Sequence, residues 1–257
     1  MNQSERRNYL IQKLLEEQPQ YAKMQIPGRC EEQKMLLRSL MNIRMPGKIN
    51  KEFQQIQDAY LAEENAAKGV VTPADMEELS PEIYLWKGDI TRLQVGAIVN
   101  AANSGMTGCY QPCHNCIDNC IHTYAGIELR NYCNELMLCQ GHEEPTGQAK
   151  ITPAFNLPCD YVIHTVGPIV RGKLTAEHER LLVSCYEACL RIAEENNIES
   201  IAFCCISTGV FMFPNERAAE LAIQTVKQYK DRTKSKIKVI FNVFKEDDER
   251  IYRRFLG

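Results

Sequence analysis

The chain has 257 residues, 44% hydrophobic and 25% charged, the composition of a globular protein with one large core and room for a small accessory region. A formal net charge of -3, a pI near 6.0 and the lack of any basic run interleaved with aromatics exclude general attraction to nucleic acid. The segment MNQSERRNYLIQKLLEEQ lacks the apolar core of a secretion signal and no later run is long enough to span a bilayer, so a cytoplasmic protein with twelve reduced cysteines is expected, with no membrane partner.

Residues 1–80 carry helical patterns and no strand signal. Ser4 reads as the cap of a first helix through Leu10, Leu14 and Leu15, and Pro27-Gly28 breaks the chain. A second helix is expected from Cys30 to Ile43, with Met35, Leu36, Leu40 and Ile43 on one side and Pro46-Gly47 after it. Asn50 reads as the cap of a third, whose apolar positions include Phe53, Ile56, Tyr60 and Leu61 and which Gly69 stops. A helical N-terminal extension, residues 1–80, is therefore expected to dock on a domain formed by residues 81–257.

From Ile83 the pattern alternates. Strands are expected at 83–86, 97–99, 161–163, 201–206 and 237–244, with helices at 177–195, 215–230 and 247–255. This is the grammar of an α/β fold, a mixed and largely parallel sheet between helices. In such sheets ligands bind beyond the carboxyl ends of the strands, and the loops 100–108, 165–168 and 207–214 all follow strands. A small-residue turn ahead of a helix offers backbone N–H groups to a phosphate.

The densest chemistry lies in residues 100–122, NAANSGMTGCYQPCHNCIDNCIH. Cys109, Cys113, Cys116 and Cys120 share this stretch with His114 and His122, a concentration of soft ligands that points first to a metal. Cys109, His114 and Cys116 lie on a segment containing Pro112, which allows one loop to wrap all three around an ion. After Cys116, the spacing of Ile117, Cys120, Ile121, Tyr124 and Ala125 predicts a helix, interrupted at Gly126 and continued by Leu129. Asp118 and His122 share another face of it. An acid at a helix start is also what the backbone dipole favours, so Asp118 has a structural reading beside its chemical one. Structural zinc sites have four protein ligands and catalytic ones keep a position open. Cys113 and Cys120 are the candidates for a fourth, but Cys113 adjoins His114 and Cys120 sits on the buried helical face, which favours three ligands.

Taken together, Gly88-Asp89-Ile90-Thr91, Asn100-Ala101-Ala102-Asn103-Ser104, Ile117-Asp118-Asn119-Cys120-Ile121-His122, His164-Thr165-Val166-Gly167-Pro168 and Ser207-Thr208-Gly209-Val210-Phe211 resemble the macrodomain family in order and spacing, over residues 83–257. The resemblance implies a three-layer macrodomain with an ADP-ribose pocket at the crest of its sheet. It implies that Asp89 binds the adenine amino group with help from the Ile90 backbone, that Asn103 faces the distal ribose, and that Ser207, Thr208, Gly209, Val210 and Phe211 hold the diphosphate. Phe213 beside that loop reads either as a stacking surface or as core. Met212 departs from the pattern, since glycine is often found there.

A second departure is Gly108-Cys109-Tyr110-Gln111-Pro112-Cys113-His114-Asn115-Cys116, where hydrolytic members commonly have a run of glycines. That segment resembles the zinc-dependent branch of the family, as do the N-terminal extension and Glu144-Pro145-Thr146-Gly147. By position the ligands of one Zn2+ would be Cys109, His114 and Cys116. The implied function is a zinc-dependent protein-ADP-ribose hydrolase that removes mono-ADP-ribose from modified proteins at acidic side chains, with Asn103 fixing a hydroxyl and Asp118 orienting or deprotonating water. The same resemblance implies as partner a lipoyl-carrier protein modified by a sirtuin-type transferase. Two other classes remain open: an ADP-ribose reader with a structural zinc, and a thiol protein whose cysteine loop serves redox sensing or folding.

The remaining titratable residues have structural readings. His164 is expected to be a hydrogen-bonded packing residue and His122 to satisfy a nearby carbonyl, with orientation of Asp118 as its alternative. His142 and His178 read as surface residues, and Cys185, Cys189, Cys204 and Cys205 as small core residues.

Overall fold

Apolar strands alternating with amphipathic helices bury both faces of a sheet only when helices cover each face, and that is the architecture formed. The computed structural model describes residues 1–21 and 23–257. Three helices come first, α1 (Gln3–Glu16), α2 (Cys30–Ile43) and α3 (Lys51–Ala67). A seven-stranded mixed sheet follows, made of β1 (Glu77–Ser80), β2 (Ile83–Lys87), β3 (Ala97–Ala101), β4 (Ala149–Pro153), β5 (Tyr161–Thr165), β6 (Ser200–Phe203) and β7 (Lys238–Val243). Its order is β1-β2-β7-β6-β3-β5-β4, parallel from β2 to β5 and antiparallel at both edges. The helices α4 (Ile117–Ala125), α5 (Ile127–Gln140), α6 (Ala176–Glu195), α7 (Asn215–Thr233) and α8 (Glu246–Leu256) complete the chain. Among the described residues no helix is long and apolar enough to cross a membrane.

The five parallel strands are almost wholly buried, and their carboxyl ends deliver the loops after β2, β3, β5, β6 and β7 to one crest. The large core lies between this sheet and its helices. A second, smaller cluster holds the apolar stripes of α1, α2 and α3 against one another, and Ile127 of α5 joins it. The rest of that joint is polar: Gln57 accepts from the Ile127 N–H at 3.0 Å and donates to Glu128 at 2.6 Å, while Asn65 donates to the carbonyls of Tyr124 (3.1 Å) and Asn156 (2.7 Å). The extension therefore docks on the junction of α4 and α5.

Several local expectations change. The cap of α1 is Asn2, which forms a capping box with Glu5, and Ser4 lies inside the helix. Two strands form that carry no apolar pattern. β1 is an exposed Glu-Glu edge within the stretch read as helical, and β4 ends on Pro153, a residue an edge strand tolerates. The helix after Cys116 is two helices, because Gly126 takes a φ of +102° and turns the chain between α4 and α5. β6 ends at Phe203, so Cys204 to Ile206 already belong to the turn.

Candidate functional site

β3 hands the chain to a loop of residues 102–116 in which Met106, Gly108 and Cys113 have left-handed backbones. Gly108 (φ +84°) is needed for a second reason: a Cβ there would lie 2.8 Å from the imidazole of His122, against which the loop packs. Asn119, fully buried on α4, fixes the loop from below by donating to the carbonyls of Cys109 (3.3 Å) and Gln111 (3.0 Å). Cys116 caps α4, its Sγ accepting the Asn119 N–H at 3.4 Å.

This fold of the loop brings the Cys109, His114 and Cys116 ligand atoms within 4.8 Å of one another. Zinc–sulfur and zinc–nitrogen bonds of about 2.3 and 2.1 Å at a tetrahedral angle separate ligand atoms by about 3.6 Å. The Cys109 Sγ to His114 Nδ1 distance is 3.6 Å. Burial pushes the Cys116 thiol up to about 12, with Cys109 adding to the shift and the Asn119 N–H opposing it. Thiols so placed become thiolates when a cation shares the site. The donor set and the Cys109–His114 spacing fit a zinc ion.

The other cysteines of the stretch face elsewhere. Cys113 Sγ lies 3.2 Å from Ser39 Oγ and 3.5 Å from the Met35 carbonyl, so it is turned onto α2. Cys120 lies 3.6 Å from a guanidinium nitrogen of Arg38. Among the described residues a second group, His122, Cys133 and His164, has ligand atoms equally close, but all three are buried. Both ring nitrogens of His164 are engaged, Nδ1 by Asn100 (3.1 Å) and Nε2 by Thr152 (3.0 Å), as expected of a core histidine. Because the Asn100 amide donates to Nδ1, the proton of His164 sits on Nε2 and goes to Thr152. Burial pushes this imidazole down to about 3.

Asp118 occupies the first turn of α4, buried beneath the loop. Asn100 Nδ2 donates to its Oδ1 at 2.8 Å and Asn103 Nδ2 approaches its Oδ2 at 3.4 Å. Burial pushes its carboxyl up to about 6, opposed by the Asn100 bond and the charge of Arg130. His122 Nε2 is 3.6 Å from Asp118 Oδ1, and both His122 ring nitrogens are buried without a hydrogen-bond partner. The expected carbonyl partner of His122 is not among its neighbours. The geometry instead turns this ring toward Asp118, because Gly108 leaves it room. Asn103 is exposed, with its Oδ1 accepting the Gly105 N–H at 3.0 Å and its amide donating to the Gly108 carbonyl at 3.1 Å.

Two further segments share the crest. Asp89 ends the turn after β2, with its Oδ1 accepting the N–H (3.0 Å) and O–H (2.7 Å) of Thr91, and buried Ile90 follows it. Its Oδ2 lies 3.7 Å from Lys68 Nζ, whose pKa burial lowers to about 8 against the opposing charge of Asp89. After β6, Ser207 and Met212 adopt left-handed backbones and the turn closes on itself: Met212 N–H to Gly209 carbonyl at 3.0 Å and Phe213 N–H to Ser207 carbonyl at 3.0 Å. Thr208, Gly209, Val210 and Phe211 ride between these bonds, and Val170 donates to the Phe211 carbonyl at 2.9 Å. Phe213 corrects the stacking expectation. At 1% exposure its side chain belongs to the core, because the chain must dive inward to start α7.

The sequence reading missed Arg38, Asn42, Asn119 and Arg130, which hold the loop without being part of it. Asn119 had a signal in its place beside Asp118, while the others lie on helices whose amphipathic pattern carries no mark of a site.

The Macro domain family model matches residues 99–222. A protein of Treponema medium named "Protein-ADP-ribose hydrolase" is 56% identical over 261 residues, covering 100% of both chains. One of the same name from Staphylococcus aureus (strain MSSA476) is 43% identical over 253 residues, covering 96% of this chain and 94% of the other. The solved Trypanosoma brucei macrodomain in complex with ADP-ribose superposes with a TM-score of 0.67 at 26% identity, over 86% of this chain and 95% of that one.

Proposed function

The chain belongs to the macrodomain family, and on that basis we propose that it is a zinc-dependent hydrolase that removes mono-ADP-ribose from acidic side chains of modified proteins. The observation that carries the reading is the grouping of Cys109, His114 and Cys116 in the loop that also presents Asn103 and buries Asp118. Hydrolysis is supported by the names of the full-length relatives, and the ADP-ribose ligand by the bound macrodomain structure.

In this reading Asp89 receives the adenine amino group on Oδ2, the oxygen not taken by Thr91, with the Ile90 backbone beside it. The Ser207 to Phe211 turn surrounds the diphosphate with backbone N–H groups at the start of α7. The Asn103 amide, exposed at the crest, donates to a distal-ribose hydroxyl in place of its long 3.4 Å approach to Asp118 Oδ2. Asp118 accepts a proton from the attacking water at Oδ2, while Asn100 holds Oδ1 in place. Cys109, His114 and Cys116 would hold the zinc, which would supply Lewis-acid polarisation of an oxygen beside the distal ribose. Residues 1–80 act as an extension of the domain formed by 81–257, the protein works in the cytoplasm, and its substrate is a lipoyl-carrier protein modified by a sirtuin-type transferase. This last assignment rests on the sequence resemblance.

The test is release of ADP-ribose from a protein mono-ADP-ribosylated on acidic side chains, by zinc-loaded enzyme, chelated enzyme and chelated enzyme resupplied with zinc. Activity that vanishes and returns with the metal, while the fold persists, is expected. ADP-ribose binding with no release in any sample would replace the hydrolase by a reader.

A further inference from the structure

The loop carrying Cys109, His114 and Cys116 is only partly buried, and little of its own backbone pairs internally. Besides Asn119 and Arg130, what fixes it comes from α2, a helix more than sixty residues earlier in the chain. The apolar side of α2, with Leu37, Leu40 and Met41, is taken up by the small core of the extension. Its remaining face carries Arg38, Ser39 and Asn42, and these three meet the loop.

Arg38 Nη2 donates to the backbone carbonyl of His114 at 2.8 Å and to Asn119 Oδ1 at 3.0 Å. Asn119 in turn uses its amide nitrogen on the Cys109 carbonyl and its backbone N–H on Cys116 Sγ. One guanidinium is thus bonded to one member of the ligand group and to the residue that holds the other two. Around it, Asn42 Oδ1 accepts the N–H of Cys113, whose left-handed backbone (φ +51°) makes the turn between Gln111 and His114. Asn42 Nδ2 donates to Thr123 of α4 at 2.9 Å, tying the same helix to the floor of the loop. Arg130 of α5 closes the triangle. Its Nη1 binds the carbonyls at the end of α2, 2.6 Å from Asn42 and 2.7 Å from Arg44, and its Nη2 reaches the Cys109 carbonyl at 3.4 Å.

We propose that α2 of the N-terminal extension is the outer wall of the metal loop, and that Arg38 is its positioning residue, presetting the spacing of Cys109, His114 and Cys116. The proposal rests on the zinc reading above for its consequence on metal affinity, although the clamp itself exists without metal. Contacts of this kind, one bond out from the ligands, tune affinity by about ten- to a hundredfold. The cost of ordering a loop is met before binding when neighbouring groups hold it in place.

The experiment compares wild type, Arg38→Ala and Arg38→Lys, with Arg6→Ala as a control. Arg6 of α1 pairs with exposed Glu63 of α3, within the extension itself. Zinc affinity is read by competition with a chromophoric chelator, and amide hydrogen exchange at residues 109–116 is read in metal-free protein. Arg38→Ala should weaken zinc binding by about ten- to a hundredfold and speed exchange at Cys113 and His114. Arg38→Lys, which keeps a cation with three N–H donors, should recover most of both, and Arg6→Ala should change neither. Wild-type affinity and exchange in Arg38→Ala would overturn the proposal. So would equal losses in Arg38→Lys and Arg6→Ala, which would mark a general loosening of the extension. If Arg38→Ala does not fold, Arg38→Gln is read in its place. A wild type that binds no zinc would end the zinc reading alone, and the exchange comparison would still decide the clamp.

Discussion

The loop of residues 108–116 and the loop of residues 204–214 leave the same end of the sheet, after strands that lie side by side, yet they are held in different ways. The second is closed by its own backbone, with Phe213 and Met212 donating back to Ser207 and Gly209 and the core residue Phe213 as anchor. The first is held largely by side chains from other elements: Arg38 and Asn42 from α2, Asn119 from α4 and Arg130 from α5. A turn proposed to offer backbone N–H groups keeps its geometry when those bonds are local. A loop proposed to aim three side chains at one point needs walls around it.

If the two loops divide the work as proposed, chemistry and binding should separate. Asp118→Ala should lower ADP-ribose release by about 10²–10⁴-fold while ADP-ribose affinity measured by calorimetry stays near wild type. Equal losses in both would erase the division. Cys116→Ser should weaken zinc binding by more than the about hundredfold expected of an outer contact, with the thermal transition of the metal-free protein little changed.

Asp118 also gives the cysteine-loop region a pH signature. Its carboxyl, raised by burial to about 6 in the folded chain, stays protonated where the unfolded chain has already ionised near 3.8. The folded state then binds more protons, so stability of the metal-free protein should fall as pH rises from about 4 to about 6 and level off above, a loss on the order of 3 kcal/mol. Asp118→Asn should flatten that slope in denaturant titrations across the range. A parallel slope in both proteins would assign it to other groups.

Two glycine substitutions give the smallest and most direct contrast. Gly108→Ala meets both a φ of +84° and the His122 ring at 2.8 Å, and should cost about 1–3 kcal/mol of stability. Gly209→Ala meets nothing within 4 Å and no left-handed backbone, so its effect on unfolding should stay within about 0.5 kcal/mol. Similar losses at both positions would remove the distinction between a loop packed against its surroundings and one that carries itself.

Much of this was legible in the sequence because it is local. The parallel strands announced themselves as apolar runs, the helices as stripes, and Cys109, His114 and Cys116 as soft ligands within one short turn. Edge strands β1 and β4 were not legible, since Glu77-Glu78 and Lys150 carry no buried pattern and only pairing with β2 and β5 makes them strands. Phe213 and His122 were left between two readings for the same reason: the burial of an aromatic at a loop end and the partner of a helical imidazole depend on what packs against them.

The sequence by itself determined the α/β grammar, the crest where strand ends deliver their loops, and the concentration of soft ligands in residues 109–122, because each is written within a short span of chain. Tertiary structure alone decided which cysteines face one another, where Asp118 is buried, and that an arginine 76 residues before His114 holds its carbonyl. Such contacts arise when helices with their own small core dock on the junction of α4 and α5, and hydrophobic periodicity marks the buried side of a helix without saying what its polar side will meet.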